Sequence, residues 1–266
     1  MFPSLLRKHR LAMSWSQERL GAEARVSARH LSCLETGRAT PSREMVVRLG
    51  RVLQLELRDR NALLVAAGFA ALYPQSSLLS PAMMPWARAI DYVLNKQEPF
   101  PAFVLDAAWN VLRTNEGAAK LLAHLLKTEP VDSPSPFNLV RATLHPDGLR
   151  PYIVNWAEIA SLLLERLKLE CRNLAFTDPR HAMLEEVSGY PDVAGLAAEN
   201  TPIAPSAVFR LRTDQGELQL FSLLSRIGTP LDVTSQELTI ETLFPVDDLT
   251  AQWFATTTVA APESRA

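Results

Sequence analysis

Between Ser16 and Pro41 the chain runs SQERLGAEARVSARHLSCLETGRATP, and its residue types recur at the intervals that two short crossed helices require. With Gln17 as position one, Leu20, Ala24, Val26, Leu31 and Leu34 fill positions four, eight, ten, fifteen and eighteen, where a shared apolar core must form. Gly21, at position five, is small enough for the second helix to pass close above it. Ser16 and Ser27 stand where each helix needs a side-chain oxygen for its unpaired N–H groups. Such a unit does recognition chemistry: one helix enters a DNA major groove while the other braces it. Bond-making groups do not assemble elsewhere. Residues 73–266 hold no nucleophile elbow, phosphate loop or metal-ligand cluster, and His124, His145 and His181 are scattered without matching carboxylate or cysteine motifs. The expectation is a binding protein, not an enzyme, with no metal and no cofactor.

Charge distribution sharpens this. The whole chain of 266 residues carries a formal net charge of −2, which by itself argues against nucleic acid. Residues 1–72, however, hold twelve lysines and arginines against six acidic residues, a net +6, and the remainder carries −8. A basic head on an acidic body confines phosphate attraction to the head. The length allows two domains of ordinary size. The two cysteines, Cys33 and Cys171, lie too far apart to suggest a disulfide framework or a metal cluster. The longest uncharged apolar run, Ala62 to Tyr73, is too short to span a bilayer, and the N-terminus lacks a signal-peptide pattern. The cytoplasm, without a membrane partner, is the default expectation.

The elements that must position this unit read as five short helices around one small all-α core. The first covers Ser4 to Met13, with Leu5, Leu6 and Ala12 inward and Arg7, Lys8, His9 and Arg10 largely outward. The second runs from about Gln17 to Ala24 and the third from Ala28 to Thr36, stopped by Gly37. Pro41-Ser42 opens a fourth with Val46, Leu49 and Leu53, and a fifth spans about Leu57 to Ala67. Arg48, Arg51, Arg58 and Arg60 read as a solvated face or as DNA contacts.

In SQERL, VSARHLSCLETGR and the following PS, nearly all of residues 3–72 resembles the lambda-repressor-like, Xre-type DNA-binding domain. The resemblance implies that Gln17 faces a phosphate from a helix N-terminus. It places Ser27, Ala28, Arg29 and Cys33 against base edges, and His30, Arg38 and Arg43 against backbone phosphates. Arg29 is the strongest base reader, since its fork matches guanine O6 and N7. Cys33 reads as a small residue touching a thymine methyl or solvent, with a redox role as the alternative. Arg25 departs from the motif, which prefers glycine for a left-handed turn.

Beyond residue 72 the character changes. Residues 73–100 read as a proline-rich connector around one amphipathic helix, Met84 to Asn95. Residues 101–250 read as an α+β domain, and 251–266 as a tail. Strands are expected at Ala102 to Asp106 and Trp109 to Arg113, then a helix from Asn115 to Leu126. That order, in FVLDAAWNVLRTNEGAAKLL, is how a PAS-like sensor domain opens. After a proline-rich break, Pro130 to Pro136, a long helix is expected from Pro151 to about Leu174, with Ile153, Trp156, Ala160, Leu163 and Leu167 as its apolar stripe. Phe176 to Pro205 reads as mixed, with a helix near His181 to Val187. Val208 to Arg212 and Glu217 to Arg226 form a hairpin, and Leu238 to Phe244 a last strand.

A repressor-type head followed by LHPDGL, IVNWAE, GTPLDVT and ELTIETLFP resembles the MmyB-like regulators from about Ser4 to Asp247. One departure is SLLSRIGTPLDVT, where a Thr-rich approach to the loop is expected. The resemblance implies a transcription factor whose PAS-like body binds a small apolar, fatty-acid-like molecule. Such a cavity needs apolar walls and few polar groups. Phe103, Trp109, Trp156, Phe209 and Phe221 are candidates to line it or simply to form core. Arg141 or His145 are candidates to hold a carboxylate, and Asn115 or Asn155 to supply amide hydrogen bonds or to cap helices. A homodimer on a near-palindromic stretch of double-stranded DNA is expected, through the 153–167 stripe or the connector helix. The alternative is a body that serves protein interaction or dimerisation and holds no ligand.

Overall fold

The computed structural model describes residues 1–126, 136–172, 174, 178–196 and 208–256. The head is built of α1 (Phe2–Ala12), α2 (Gln17–Ala24), α3 (Ala28–Glu35), α4 (Arg43–Val52) and α5 (Leu57–Ala66). Three of these start where a serine oxygen accepts the N–H three residues on: Ser16 from Arg19, Ser27 from His30 and Ser42 from Met45. Leu6, Leu20, Leu31, Leu34, Leu49 and Leu63 are fully buried in one core. The orientation expected for the first helix needs correction. His9 and Arg10 are buried, while Leu5 and Ala12 are only half-buried. Arg10 turns inward because Glu35 of α3 meets its fork with both oxygens, at 2.7 and 2.8 Å. A guanidinium is buried readily only when a carboxylate matches it in this way.

Next come α6 (Met84–Gln97), β1 (Ala102–Leu105), β2 (Val111–Thr114), α7 (Glu116–Leu126), α8 (Leu139–Leu144), α9 (Trp156–Cys171), α10 (Pro179–Ser188) and α11 (Val193–Leu196). The chain closes with β3 (Val208–Thr213), β4 (Gly216–Arg226), α12 (Val233–Glu237), β5 (Thr239–Pro245) and α13 (Asp248–Thr256). The strands form one antiparallel sheet in the order β2-β1-β5-β4-β3. Phe103, Glu241 and Leu224 pair across β1, β5 and β4, so the pleat places them on one face. That face carries Phe103, Leu105, Leu211, Leu218, Leu220 and Leu243 into the main core beneath α7, α8, α9 and α10. On the other face Ala102, Val104 and Leu238 receive Ile90 and Leu94 of α6. The body is thus α+β, as its alternating strand and helix patterns imply.

Several boundaries differ from expectation. The long helix begins at Trp156, not Pro151; Ile153 precedes it and bridges to Leu211 of β3. Ile153, Ala160 and Leu167 are buried within the subunit, which removes the stripe as a dimer surface. Trp109 lies in a turn before β2, at φ 65°. Residues 251–256, read as tail, belong to α13, whose Trp253 and Phe254 are buried in the main core. The Lys120 ammonium donates to the Phe254 carbonyl and ties α13 to α7. Most of the Pro130 to Pro136 break, residues 197–205 of the mixed segment and residues 257–266 lie outside the described residues.

Head and body meet along α5 and through Lys8 of α1. The Lys8 ammonium donates to the Leu174 carbonyl and the Leu57 N–H to Gln236 Oε1, both at 2.6 Å. The Arg58 guanidinium makes a two-pronged bond to Glu237 of α12. Buried Arg180 pairs with Asp178 and reaches Glu56 at 3.6 Å. Arg58 and Arg60 are therefore structural: Arg60 donates to the Leu55 carbonyl.

Candidate functional site

The second of the two crossed helices is α3, and its placement follows from the turn before it. Arg25 adopts the left-handed conformation, φ 52° and ψ 49°, that the motif ordinarily gives to glycine. The turn keeps its shape and the arginine takes up the strain. Val26 N–H then donates to the Gly21 carbonyl at 2.8 Å. A Cβ on Gly21 would meet the Val26 oxygen at 2.6 Å, so glycine is the residue that lets the chain fold back here. Because the left-handed region costs a residue that carries a Cβ about 1–2 kcal/mol, and glycine is more floppy when unfolded, Arg25→Gly is expected to raise stability by roughly 0.5–1 kcal/mol. Urea denaturation checks this, and a loss of stability would contradict the strain.

Leu31 and Leu34 hold α3 from beneath, and its outer side is open. Ser27, Arg29, Arg38 and Arg43 are exposed; Ala28, His30 and Cys33 are half-buried. Gln17 stands at the first turn of α2, but its amide donates to Glu35 Oε2 at 2.8 Å. That side chain has a structural bond beside any phosphate it meets. Burial pushes the Glu35 carboxyl up, yet the Arg10 and Gln17 hydrogen bonds hold it below the usual carboxylate range. The Arg48 guanidinium donates to the Ala24 carbonyl at the end of α2, so it braces the motif.

The body holds an apolar cavity of about 50 Å³ between the inner sheet face and α7 and α8. Phe103, Leu121, Leu122, Leu125, Leu139, Thr143, Leu149, Ile153, Phe209, Leu211, Glu241 and Leu243 line it. Two of the sequence candidates, Phe103 and Phe209, are among them. The other seven are elsewhere. Trp109 donates its indole N–H to Glu170 and lies under the Arg166 guanidinium. Trp156 donates to the Thr143 carbonyl. Phe221 pairs with Phe244 and faces away from Phe103. Asn115 is spent on the fold: its oxygen accepts from the N–H groups of Ala102 and Ala118, and its amide donates to the Phe100 carbonyl. Asn155 likewise bonds Glu158, Val208 and Arg210. Arg141 forks onto Glu186 at the surface, and exposed His145 accepts from the Asp147 N–H.

Glu241 is the residue that sequence reasoning missed. Its Oε1 accepts from the Ser222 hydroxyl at 2.6 Å, and its Oε2 is buried without a hydrogen-bond partner. Burial pushes the carboxyl up, against the Ser222 hydrogen bond and the Arg166 charge, which pull it down. The signal was present in ELTIETLFP, where an acidic residue sits at an inward position of a strand beside Leu243.

A braced pair of crossed helices on a basic head, joined to a body with a small apolar cavity, defines a DNA-binding regulator with a small-molecule domain. Residues 87–256 match the family model of the MmyB-like transcription regulator ligand binding domain, and residues 4–63 match a helix-turn-helix domain. The chain belongs to the MmyB-like transcription regulators. Neither matched family is one of enzymes. No curated protein matches the chain. Among the described residues there is no group of three metal-ligating side chains, and no helix is long and apolar enough to cross a membrane.

Proposed function

We propose that this chain is a sequence-specific regulator of the Xre type, in which α3 reads base edges and a PAS-like body answers to a small apolar molecule. The observation that carries the first half is the open outer side of α3, with Arg29 exposed in its first turn, just after the Ser27 cap. Arg29 is the base reader, flanked by Ser27, Ala28 and Cys33. His30, Arg38, Arg43 and the N-terminus of α2 at Gln17 hold phosphates. Arg29→Ala is expected to cost about 1–3 kcal/mol on the preferred duplex and to relax preference at one operator position. Sites selected from random duplexes by both proteins measure this; uniform weakening on every sequence would contradict base reading.

The second half rests on the cavity. Among the described residues its lining is apolar apart from Thr143 and Glu241, which suits a hydrocarbon chain of the fatty-acid kind. At about 50 Å³ it has to widen to take one. Arg141 and His145 stand outside it, so the fatty-acid-like reading concerns the chain and not the head group. A homodimer on a near-palindromic operator remains our reading of how two α3 helices are presented. With the α9 stripe buried, the exposed Trp86 and Tyr92 of α6 are the side chains that support it. Organic extraction of the purified protein followed by mass spectrometry tests the ligand: a stoichiometric apolar molecule supports the sensor, and a clean extract favours a protein-interaction body.

A further inference from the structure

We propose that the cavity selects an apolar chain ending in a primary ammonium, whose N–H groups donate to Oε2 of Glu241, and that it disfavours a carboxylate-headed chain of equal length. This deepens the reading of the cavity as a ligand site and rests on it.

The polar inventory of the wall is one-sided. Among the described residues two polar side chains line it, Thr143 and Glu241. The Thr143 hydroxyl donates to the Leu139 carbonyl at 2.8 Å, which leaves its oxygen lone pairs and no free proton. Glu241 offers Oε2, buried and unpartnered. Among the described residues no lysine, arginine or histidine lines the cavity. The elements packed around Glu241 add apolar residues from β1 and α7, Ser222 and Leu224 from β4, and Arg166 from α9. Arg166 is the charged group that acts on it, and it is already committed to Glu170 at 2.9 Å and to the Trp109 ring. A buried carboxyl oxygen without a donor is costly, and a charge-assisted donor is the group that relieves it most. A carboxylate entering here meets an acid and no cation, so the pair must share one proton or repel.

Proton linkage separates the two cases. Burial favours the protonated form of Glu241. An ammonium that pairs with the carboxylate displaces that proton, so its affinity rises as pH rises. A carboxylate is tolerated only while the pair of acids holds one shared proton, so its affinity falls as pH rises.

The test is calorimetric titration of the full chain with n-octylamine, 1-octanol and octanoate at pH 6, 7 and 8. Octylamine is expected to bind about tenfold or more tighter than octanoate at pH 7, and to tighten from pH 6 to pH 8. The acidic body attracts any cation, so Glu241→Gln is compared directly. It is expected to weaken octylamine about tenfold while leaving octanol within about twofold. Octanoate binding tightest, or Glu241→Gln binding octylamine as wild type does, overturns the amine assignment and leaves the cavity reading intact. Binding of none of the three overturns both. Should Glu241→Gln not fold, the wild-type pH trend decides alone: affinity for octylamine that falls as pH rises overturns the proposal.

Discussion

Arg10→Ala is expected to destabilise the head by about 3–5 kcal/mol, the loss that follows when one half of a buried ion pair is removed. Arg10 and Glu35 are both buried, and the guanidinium also donates to the Trp15 carbonyl. Deleting it strands the Glu35 carboxylate in the core with the Gln17 amide as its remaining side-chain partner. The pair joins α1 to the last turn of α3, so the loss is also expected to loosen the reading helix. Urea denaturation measures the first effect and operator affinity the second. The double replacement Arg10→Met with Glu35→Leu is the control: it removes both charges and is expected to recover most of the stability. A single replacement within about 1 kcal/mol of wild type would show the pair to be dispensable.

Asp59→Asn is expected to act in the opposite direction, stabilising the chain at neutral pH. Asp59 lies on α5 where head meets body, and burial, with Glu56 and Asp178 nearby, pushes its carboxyl up to about 6 from 3.8, although Arg180 and Lys8 pull the other way. The folded state therefore holds the proton more tightly than the unfolded one. The stabilising contribution is fully present below about 3.8 and is lost as pH rises through about 6. At about 1.4 kcal/mol per pH unit the loss by pH 7 is on the order of 3 kcal/mol as an upper figure. Asparagine mimics the protonated form at every pH. The difference between variant and wild type is then expected to be near zero at pH 4 and largest at pH 7. Equal pH profiles for the two proteins would show that Asp59 is solvated. Glu35, Asp178 and Glu186 are shifted downward and give slopes of the opposite sign, which the comparison between proteins cancels.

The head was legible because its signals are local. Ser16, Ser27 and Ser42 cap within three residues, and the apolar positions of the motif recur at fixed intervals along contiguous helices. Arg10 was misread because its inward turn depends on Glu35, twenty-five residues away, and charge on a helix ordinarily means solvent. In the body the strands were legible from alternation, but the cavity was not. Trp109, Trp156 and Phe221 are plausible wall residues by size, whereas the wall is set by sheet register and by which face α7 covers. Asn115 and Asn155 are amides used up by nearby backbone groups, a competition that sequence does not display. Glu241 escaped notice because a glutamate in a strand usually faces water, and only the antiparallel placement of β5 between β1 and β4 turns it inward.

That placement also orders the making of the protein in time. The head core is complete by about Phe69, whereas β5 is the last of the described strands to be made and the one that joins the two halves of the sheet. At roughly 5–20 residues per second, the reading helix precedes the joining strand by on the order of ten to forty seconds. A ribosome that stops before Thr239 therefore releases a basic head whose body is two separate hairpins, β1–β2 and β3–β4. Such a fragment is expected to carry the helix-turn-helix unit without an assembled ligand-binding sheet.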